Sequence, residues 1–512
     1  MSSRSKPPRK SAAIILTRSR GDSTEVYLVR RSPELAFFGG YYAFPGGVID
    51  PEEARQGGER GFERCAIREL FEETGVGLHA QVRALSVGDR ESLRRDLLES
   101  HGAQARWSEV VGEDEGELTR VLEITTPPFS PRRYETVFFT AELPPEADPI
   151  IWPGELDHGM FLRPADALLR WRRGEILIAP PVLFLLEILD EHGLDRFAAV
   201  ADAEGRALRE GRLHPVRYNP GIFVAPLEAR TKPPATTTNC FLVGHERLYV
   251  VDPAPTKLDE QARLLAKIDS ALHSGVKLEA VLVTHAHPDH VGAVRATAER
   301  YGVRIGGHPL ALESLEQAGH VPLGTTTFEL NEGDELDLGS APDGTGEWTL
   351  RVLHTPGHSP DHLAFVESRY RSAILGDLVS SVSTVLIDPP EGHLRTYLGT
   401  LDRLRSESVA TVYPSHGPAV RTGAAMLERF VAHRLERIRA IQEFIRADEP
   451  EWVDIERVVG SIYHDVQPAV VDLARRSLAA SLEYLEEDGS VVIDGERVRW
   501  SGGDSTARVR RP

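Results

Sequence analysis

The strongest constraint on this fold is the stretch THAHPDH at residues 284–290, which ends the apolar run LEAVLV. Four possible metal ligands, His285, His287, Asp289 and His290, follow one predicted strand where the chain must turn. Imidazole nitrogens and carboxylate oxygens bind borderline divalent metals, and a loop at a strand end can aim several of them at one point. The stretch therefore predicts a metal site.

Three later residues extend this set. His358 lies in HTPGHSPDH, Asp377 in ILGDL and His416 in YPSHGP, each just after a predicted strand and beside a glycine that permits a tight turn. Seven ligands are enough for two metals. The alternative is a scatter of ordinary surface or core histidines, which the full ordered set disfavours. Ordinary solvated or hydrogen-bonded side chains are expected for the histidines outside the set: His308, His320, His354 and His362.

The strand pattern around these motifs predicts a layered α/β architecture. Strands are expected at NCFLVG, RLYVVD, LEAVLVTH, TLRVLHT, HLAFVES and YRSAILGD, with a helix at KLDEQARLLAKIDSALHSG. After residue 420 the composition becomes helical. The chain then ends in a helix and a short hairpin around Asp488-Gly489 and Asp494-Gly495, an outline that suits a small winged-helix domain.

Together with PGIFVAPL, TTTNCFLVG, VVDPA and LEYLEEDGSV, these motifs resemble the metallo-β-lactamase superfamily over about residues 215–500. The resemblance is to its glyoxalase-II-like branch, the β-lactamase-like-2 type with a C-terminal winged helix, which includes thioesterases and an RNA endonuclease. It implies two divalent metals, for which Zn²⁺, Fe and Mn²⁺ suit the ligands comparably, and a proton-transfer role for Asp289. The implied ligands are His285, His287 and His358 for one metal, Asp289, His290 and His416 for the other, and Asp377 as the bridge.

A second motif, AIRELFEETGV at residues 66–76, predicts a different metal site. Helical spacing places Glu69, Glu72 and Glu73 on one face, where their charges repel unless a cation lies among them. Oxygen ligands suit Mg²⁺ or Mn²⁺, which bind substrate phosphates directly. Gly75 ends the helix, and Gly46 and Gly47 offer close backbone approach. The alternative is a solvated acidic face.

With FPGGVID, TTPPFSPRRYETVFFTAELP and RRGEILIAPP, this motif resembles the Nudix hydrolases, in particular the peroxisomal-type coenzyme A diphosphatases, over about residues 10–200. The usual Nudix box has a glutamate where Arg60 stands, so either the loop is longer here or one ligand is missing; the family context favours the longer loop. The resemblance implies that Glu69, Glu72 and Glu73 bind metal, with Glu69 as the catalytic base. Arg132 and Arg133 are candidate phosphate clamps, although a solvated basic patch fits that pair equally. The predicted substrate-binding residues are Arg68, Arg132 and Arg133.

The 512-residue length, at roughly 150 residues per domain, predicts about three domains. The expected fold class is α+β multidomain: a Nudix α/β/α fold, a metallo-β-lactamase αββα sandwich and a C-terminal winged-helix-like domain. The expected bounds are 1–10 for a flexible basic tail, 11–210 for Nudix, 215–422 for metallo-β-lactamase, 423–502 for the winged helix and 503–512 for a flexible tail.

Composition limits the partners and the compartment. Cys65 and Cys240, each among apolar residues, favour core positions in a reducing compartment. The N-terminus lacks an apolar signal region and no stretch could span a membrane, so a cytoplasmic protein without membrane association is expected. The net charge of −19 disfavours bulk nucleic-acid binding.

The sequence thus predicts a bifunctional metal-dependent hydrolase. The Nudix part would cut a diphosphate in coenzyme A, an acyl-CoA or a related nucleoside diphosphate derivative, and the second part would hydrolyse a thioester or other ester. One alternative is RNA or nucleotide processing with a metallo-β-lactamase-fold endonuclease. Another is a metallohydrolase whose Nudix domain is a non-catalytic scaffold or sensor. The sequence leaves the oligomeric state open.

Overall fold

The chain divides into two compact units, residues 1–223 and residues 224–512. The predicted C-terminal tail, 503–512, and most of the N-terminal one lie outside the described residues, but the first strand begins at Arg9, inside the expected tail. The computed structural model describes residues 7–35, 38–99, 104–111, 118–449, 451–464, 466 and 470–502.

The first unit alternates strands with helices. Its strands are β1 (Arg9–Arg20), β2 (Ser23–Arg31), β3 (Tyr41–Ala43), β4 (Gly46–Val48), β5 (Thr119–Thr125), β6 (Tyr134–Glu142), β7 (Leu156–Leu162) and β8 (Leu177–Ile178). Its helices are α1 (Pro51–Gln56), α2 (Gly58–Thr74), α3 (Ala80–Ala84), α4 (Val87–Glu99), α5 (Gln104–Val111), α6 (Pro164–Arg172) and α7 (Pro180–Arg209).

These strands form one eight-stranded sheet in the order β5-β6-β1-β2-β3-β8, with β4 paired to β1 and β7 paired to β2. Strand β1 pairs antiparallel with β2 and parallel with β6. Successive side chains of a strand point to opposite faces. Ile15 accordingly packs with α6 and α7, whereas Ile14 and Leu16 pack with α2. Helices thus cover both faces of the sheet, as the predicted α/β/α fold requires.

Helix α7 is interrupted at Gly193. Helical structure resumes after this glycine and continues to Arg209. Gly193 has φ 68° and ψ 169°, a conformation that a residue with a side chain rarely adopts. The break redirects the second half of the helix, where Gly205 lies against Leu122 of β5.

The second unit contains the remaining elements. Its strands are β9 (Ile222–Leu227), which crosses the boundary, β10 (Thr238–Val243), β11 (Arg247–Val251), β12 (Lys277–Leu282), β13 (Arg304–Gly307), β14 (Thr327–Glu329), β15 (Glu335–Ser340), β16 (Glu347–His354), β17 (Leu363–Glu367), β18 (Ser372–Gly376), β19 (Thr411–Pro414), β20 (Val453–Asp454), β21 (Val491–Asp494) and β22 (Arg497–Trp500). Its helices are α8 (Leu258–His273), α9 (Val294–Tyr301), α10 (Pro309–Gln317), α11 (Leu394–Ser406), α12 (Gly423–Ala447), α13 (Ile455–Ile462) and α14 (Val471–Glu487).

Two sheets organise the second unit. One runs β14-β13-β12-β11-β10-β9 and the other β15-β16-β17-β18-β19. A small C-terminal sheet, β20-β22-β21, accompanies α13 and α14, so the predicted helix and hairpin form a winged-helix arrangement. One continuous apolar core joins the second sheet to these C-terminal elements, from Leu353 on β16 through Tyr397 on α11 to Trp500 on β22. Within the described residues, no helix is both long and apolar enough to cross a bilayer.

Candidate metal centres

The seven predicted ligands of the second unit lie at the ends of four strands. The first four, from His285 to His290, follow β12; His358 follows β16, Asp377 follows β18 and His416 follows β19. The apolar strands fix where each turn begins, so short loops carry the polar side chains to one place. We call the seven residues the histidine cluster.

The cluster forms three overlapping groups, and within each the ligand atoms lie within 4.8 Å of one another. Each group could hold a metal ion. The groups share His285 and His290, as expected of two adjacent ion positions. Their members are His285, His287 and His358; His285, His290 and Asp377; and Asp289, His290 and His416.

Backbone carbonyls fix the imidazole tautomers of two cluster residues. The Nδ1–H of His358 donates to the Leu386 carbonyl at 2.9 Å, and that of His416 donates to the Thr237 carbonyl at 3.1 Å. A carbonyl can only accept, so the proton must be on Nδ1. In both rings the Nε2 lone pair is then directed into the cluster.

A buried aspartate fixes two more rings. Asp252 accepts from His290 Nδ1 at 2.9 Å and from the Thr284 hydroxyl at 2.7 Å, and that hydroxyl lies 2.9 Å from His285 Nδ1. Carboxylate partners of this kind orient metal-ligating histidines. The sequence analysis did not assign Asp252 a role. Its place at the end of β11, the parallel neighbour of β12, is the signal that could have identified it.

Three inward-facing imidazole nitrogens lie close together with no hydrogen atom between them. His287 Nδ1 lies 2.9 Å from His285 Nε2 and 3.0 Å from His358 Nε2, while His287 Nε2 lies 3.3 Å from Glu391 Oε2. With the protons on the outward nitrogens, three lone pairs point at one another, and this arrangement is favourable when a cation lies between them. No motif in the sequence pointed to Glu391.

Among the described residues, two buried atoms of the cluster, His290 Nε2 and Asp377 Oδ1, have no hydrogen-bond partner. They lie 3.6 Å apart, and Asp377 Oδ1 lies 3.3 Å from His416 Nε2. Two ligand atoms each about 2.1 Å from a tetrahedral ion are separated by about 3.4 Å. These unsatisfied atoms therefore fit a divalent metal with mixed nitrogen and oxygen ligands.

Burial keeps part of the cluster neutral. It lowers the pKa of His358 to about 4 and that of His285 well below its usual value, where the neighbouring imidazoles add to the effect. Burial also acts to lower the pKa of His290, but the carboxylates of Asp377 and Asp289 outweigh it and raise that pKa. Neutral imidazole is the metal-binding form, so His285 and His358 are ready to bind at neutral pH, whereas a metal at His290 has to displace a proton.

The histidines predicted to be ordinary have ordinary partners. His308 stacks on His354, with ring centres 4.6 Å apart. His362 is buried beside the cluster: its Nδ1 lies 2.8 Å from the Thr355 hydroxyl, and its Nε2 accepts from the Asp377 backbone N–H at 3.1 Å. His362 therefore supports the segment that carries Asp377.

In the first unit, Arg68 lies at the centre of the carboxylate site. It donates from Nε and Nη2 to the two oxygens of Glu53 at 2.7 and 3.1 Å, and from Nη1 to Glu69 at 2.9 Å and Glu72 at 3.0 Å. Arg68 was predicted to bind substrate. It lines the cleft described below, but it is 4% exposed and its donors are directed at protein carboxylates, so it organises the site, and its contact with substrate stays a prediction.

The usual Nudix box has a glutamate where this chain has Arg60, and Glu53 is the carboxylate that pairs with Arg68 here. It lies 15 positions before Arg68, on α1, and its own geometry is fixed because it forms a capping box with Asp50. The extra residues form the end of α1 and the first turns of α2. Glu53 therefore pairs with Arg68 across these extra residues, and this pairing supports the prediction of a longer loop. The D-x-x-E capping pattern was the available signal.

Two glycines allow the strand β4 to approach the glutamates. The Gly46 N–H donates to Glu73 Oε2 at 3.0 Å, and a β-carbon at Gly47 would collide with the Glu69 carboxylate. This is the close approach predicted for PGGVID. We call Glu69, Glu72 and Glu73 the glutamate cluster.

Burial raises the pKa of all three glutamates. The pKa of Glu69 rises to about 7 because burial outweighs the attraction of Arg68, and the pKa of Glu73 lies well above its usual value. Among the described residues, the three glutamates are not a group whose oxygens all lie within 4.8 Å of one another. A hard cation such as Mg²⁺, which keeps several waters and takes one or two carboxylates, fits this looser set of oxygens.

A cleft of about 890 Å³ opens over the glutamate cluster. Its other walls include Trp152, Leu97 and the exposed Arg55. The predicted phosphate clamps do not line it: Arg133 donates to the Thr126 carbonyl, and Arg132 lies beside it on the same exposed turn. Arg55 is the exposed cation that the structure offers to a bound phosphate.

These two sites define a metal-dependent hydrolase. Family models match at residues 7–177 (NUDIX domain), 233–416 (Metallo-beta-lactamase superfamily) and 455–500 (Beta-lactamase associated winged helix domain). The chain therefore contains a NUDIX domain region, a metallo-β-lactamase superfamily region and an associated winged-helix region, each matched by its own family model.

Similar proteins each match a part of this chain. A "Beta-lactamase-like protein 2 homolog" of Caenorhabditis elegans is 25% identical over 57% of this chain and 90% of its own. An "Atrochrysone carboxyl ACP thioesterase" of Aspergillus fumigatus is 24% identical over 51% of this chain and 60% of its own. The crystal structure of a NUDIX hydrolase from Alicyclobacillus acidocaldarius is 26% identical over 39% of this chain and 94% of its own, with a TM-score of 0.32.

Proposed function

We propose that the second unit hydrolyses a thioester or related ester and that the first unit cleaves a diphosphate in coenzyme A or an acyl-CoA. The observation that carries the first part is the convergence of five oriented imidazoles and two aspartates, with unpaired His290 Nε2 and Asp377 Oδ1 at the centre. The name of the Aspergillus relative, a thioesterase, supports the choice of bond.

In the histidine cluster, His285, His287 and His358 would hold one divalent ion, and Asp289, His290 and His416 the other, with Asp377 shared between them. Such ions act as Lewis acids and lower the pKa of water from ~15.7 towards neutrality. Asp289 lies 3.7 Å from His416 Nε2 and is only partly buried, so it can accept a proton from water and release it to solvent.

In the first unit, Glu69, Glu72 and Glu73 would hold Mg²⁺ or Mn²⁺ for the diphosphate oxygens. Arg68 keeps Glu69 and Glu72 in place, and the exposed Arg55 would pair with a phosphate across the cleft. Since burial brings the pKa of Glu69 to about 7, this carboxylate can exchange a proton with water near neutral pH.

The two activities would share one substrate. Cleaving the diphosphate of an acyl-CoA leaves an acyl phosphopantetheine whose thioester is intact, and this product is a suitable substrate for the second site. The proposal supplies a chemical reason for the fusion.

The test is mass spectrometry of the products formed from acetyl-CoA and a longer acyl-CoA by the full chain with Mg²⁺ and Zn²⁺. His287→Ala should abolish release of free acid and thiol, and Glu73→Ala should abolish release of 3′,5′-ADP. His273→Ala and Glu91→Ala, at exposed helical positions, are the matched controls. If the wild-type chain forms neither product, the coenzyme A assignment is wrong, and RNA or other nucleoside diphosphates become the substrates to examine.

A further inference from the structure

One loop, residues 377–393, contacts the histidine cluster at three points; we call it the site loop. It begins with Asp377, its Leu386 carbonyl accepts from His358 Nδ1 at 2.9 Å, and its Glu391 Oε2 lies 3.3 Å from His287 Nε2. The outward nitrogens of two imidazoles are therefore held by this loop. A shift of the loop would rotate both rings relative to a bound ion.

The opposite side of the site loop is held by the C-terminal helices. Arg434 on α12 donates from Nη2 to the Val385 carbonyl, the residue next to Leu386. Arg476 on α14 donates to Asp388 Oδ2 at 2.8 Å. At the end of the loop, His393 Nε2 lies 2.7 Å from Glu487 Oε1, also on α14.

Arg434 is unusual because it is buried. It is 5% exposed, its guanidinium lies 5.8 Å from the centre of the Tyr397 ring, and its Nη1 donates to the Ser477 hydroxyl at 3.2 Å. Its Nε has no hydrogen-bond partner in the part of the chain that the structure describes. Burying a cation with an unsatisfied donor costs free energy, so packing alone does not account for an arginine at this position. The contact with the loop carbonyl does.

We propose that the C-terminal winged-helix domain is the positioning element of the metal centre. Through Arg434, Arg476 and Glu487 it fixes the site loop, and the loop in turn fixes the rings of His358 and His287. These three are positioning residues, because none of them contacts the reacting atoms. The proposal concerns metal binding and does not depend on which bond the protein hydrolyses.

The test is a Zn²⁺ titration of the metal-free full chain against a competing chelator, without substrate. Removing partners that orient metal ligands lowers metal affinity roughly 10–100-fold. We expect Arg476→Ala combined with Glu487→Gln to lower Zn²⁺ affinity about 10-fold and to change the visible absorption of the Co²⁺-loaded protein. Both positions are on the surface of α14, so the variant should fold.

The matched control is Arg475→Ala. Arg475 is adjacent in sequence and equally exposed, but it pairs with Glu456 and Asp472 within the C-terminal domain. It should leave affinity and spectrum unchanged. The charge-reversed pair Arg476→Asp with Asp388→Arg should restore the affinity that Arg476→Asp alone loses.

Arg434→Gln extends the test to the buried contact, with circular dichroism as the check on folding. A double variant at Arg476 and Glu487 that binds Zn²⁺ within twofold of wild type, with an unchanged Co²⁺ spectrum, would overturn the proposal. A different result is also informative. If the wild-type chain shows no thioesterase activity but the double variant binds Zn²⁺ more weakly, the proposed function is wrong and the positioning role of the C-terminal domain stands.

Discussion

The two candidate metal centres differ in how they balance charge before a cation binds. The histidine cluster is built of imidazoles whose outward nitrogens face Asp252, Glu391 and backbone carbonyls, and burial keeps two of them, His285 and His358, neutral. The glutamate cluster consists of buried carboxylates, and Arg68 is the cation that compensates two of them. The first centre is thus fixed by the orientation of hydrogen bonds and the second by the balance of charge, so they should respond differently to mutation, metal and pH.

The largest expected effect is the loss of ester hydrolysis in a variant that keeps diphosphate cleavage. Asp377→Asn removes the carboxylate that faces both His290 and His416. Losing a partner of a metal ligand costs about 10–100-fold, so losing a direct ligand should cost at least about 100-fold in ester hydrolysis. Diphosphate cleavage should remain at the wild-type rate in assays of each product. The exposed Asp259→Asn is the control, and parallel loss of both activities would contradict the separation.

The next effect tests the close approach at the glutamate cluster. Gly47→Ala places a methyl group against the Glu69 carboxylate and should displace it, lowering diphosphate cleavage about 10–100-fold with little change in ester hydrolysis. Gly88→Ala is the matched control, because nothing lies within 4 Å of a β-carbon there. Equal activities of the two variants would show that Glu69 has no part in the reaction.

Glu53→Gln tests the balance of charge itself. Removing one partner of a buried ion pair typically costs about 3–5 kcal/mol, because it leaves the other charge uncompensated. The remaining partners of Arg68, Glu69 and Glu72, reduce that cost, so we expect a loss of about 1–3 kcal/mol in the stability of the first unit. Thermal unfolding with and without Mg²⁺ measures it. Glu59→Gln, which alters an exposed pair, should have no such effect.

The smallest effect is on pH dependence. The pKa of Glu69 in the folded chain, about 7, lies above the ordinary value of 4.5, so the folded state holds an extra proton between these pH values. The free energy of unfolding of the metal-free first unit should therefore decrease as pH rises from about 4.5 to about 7. Melting curves at pH 5.5 and pH 8 would show this, and saturating Mg²⁺ should remove the difference. A first unit that becomes more stable over this range without metal would refute the expectation.

The sequence predicted features that are encoded locally. THAHPDH, the glycine-flanked His358, Asp377 and His416, and the spacing of the glutamates all lie at ends of strongly apolar or periodic segments, so their placement follows from the elements that carry them. The strands expected in the second unit and the C-terminal helix and hairpin were predictable for the same reason.

Contacts between distant segments were not predictable. Asp252 lies 38 positions from His290, and Glu391 reaches His287 from a loop without periodicity. Arg68 was assigned to substrate because a single sequence does not show that Glu53, displaced by an insertion, would bind both ends of its guanidinium. The role of Arg434 depends on a packing arrangement that no local pattern encodes.

The charge of the winged-helix domain helps to distinguish ester hydrolysis from RNA processing. Acidic residues outnumber basic ones between positions 423 and 502, and several arginines there are paired with carboxylates, including Arg457 with Asp448 and Arg475 with Glu456. Nucleic-acid affinity depends on basic residues that can release counterions from phosphates. This domain is therefore better suited to supporting the metal centre than to holding RNA.

The parallel pairing of β1 with β6 has a consequence for synthesis of the chain. The hydroxyls of Ser11 and Thr136, one on each strand, lie 2.7 Å apart although 125 positions separate them. The hairpin of β1 and β2 can form as soon as both have left the ribosome, but the other edge of β1 has no partner until β6 emerges. Over that interval the apolar run AAIIL has an unpaired edge, so this segment of the nascent chain needs protection from other strands.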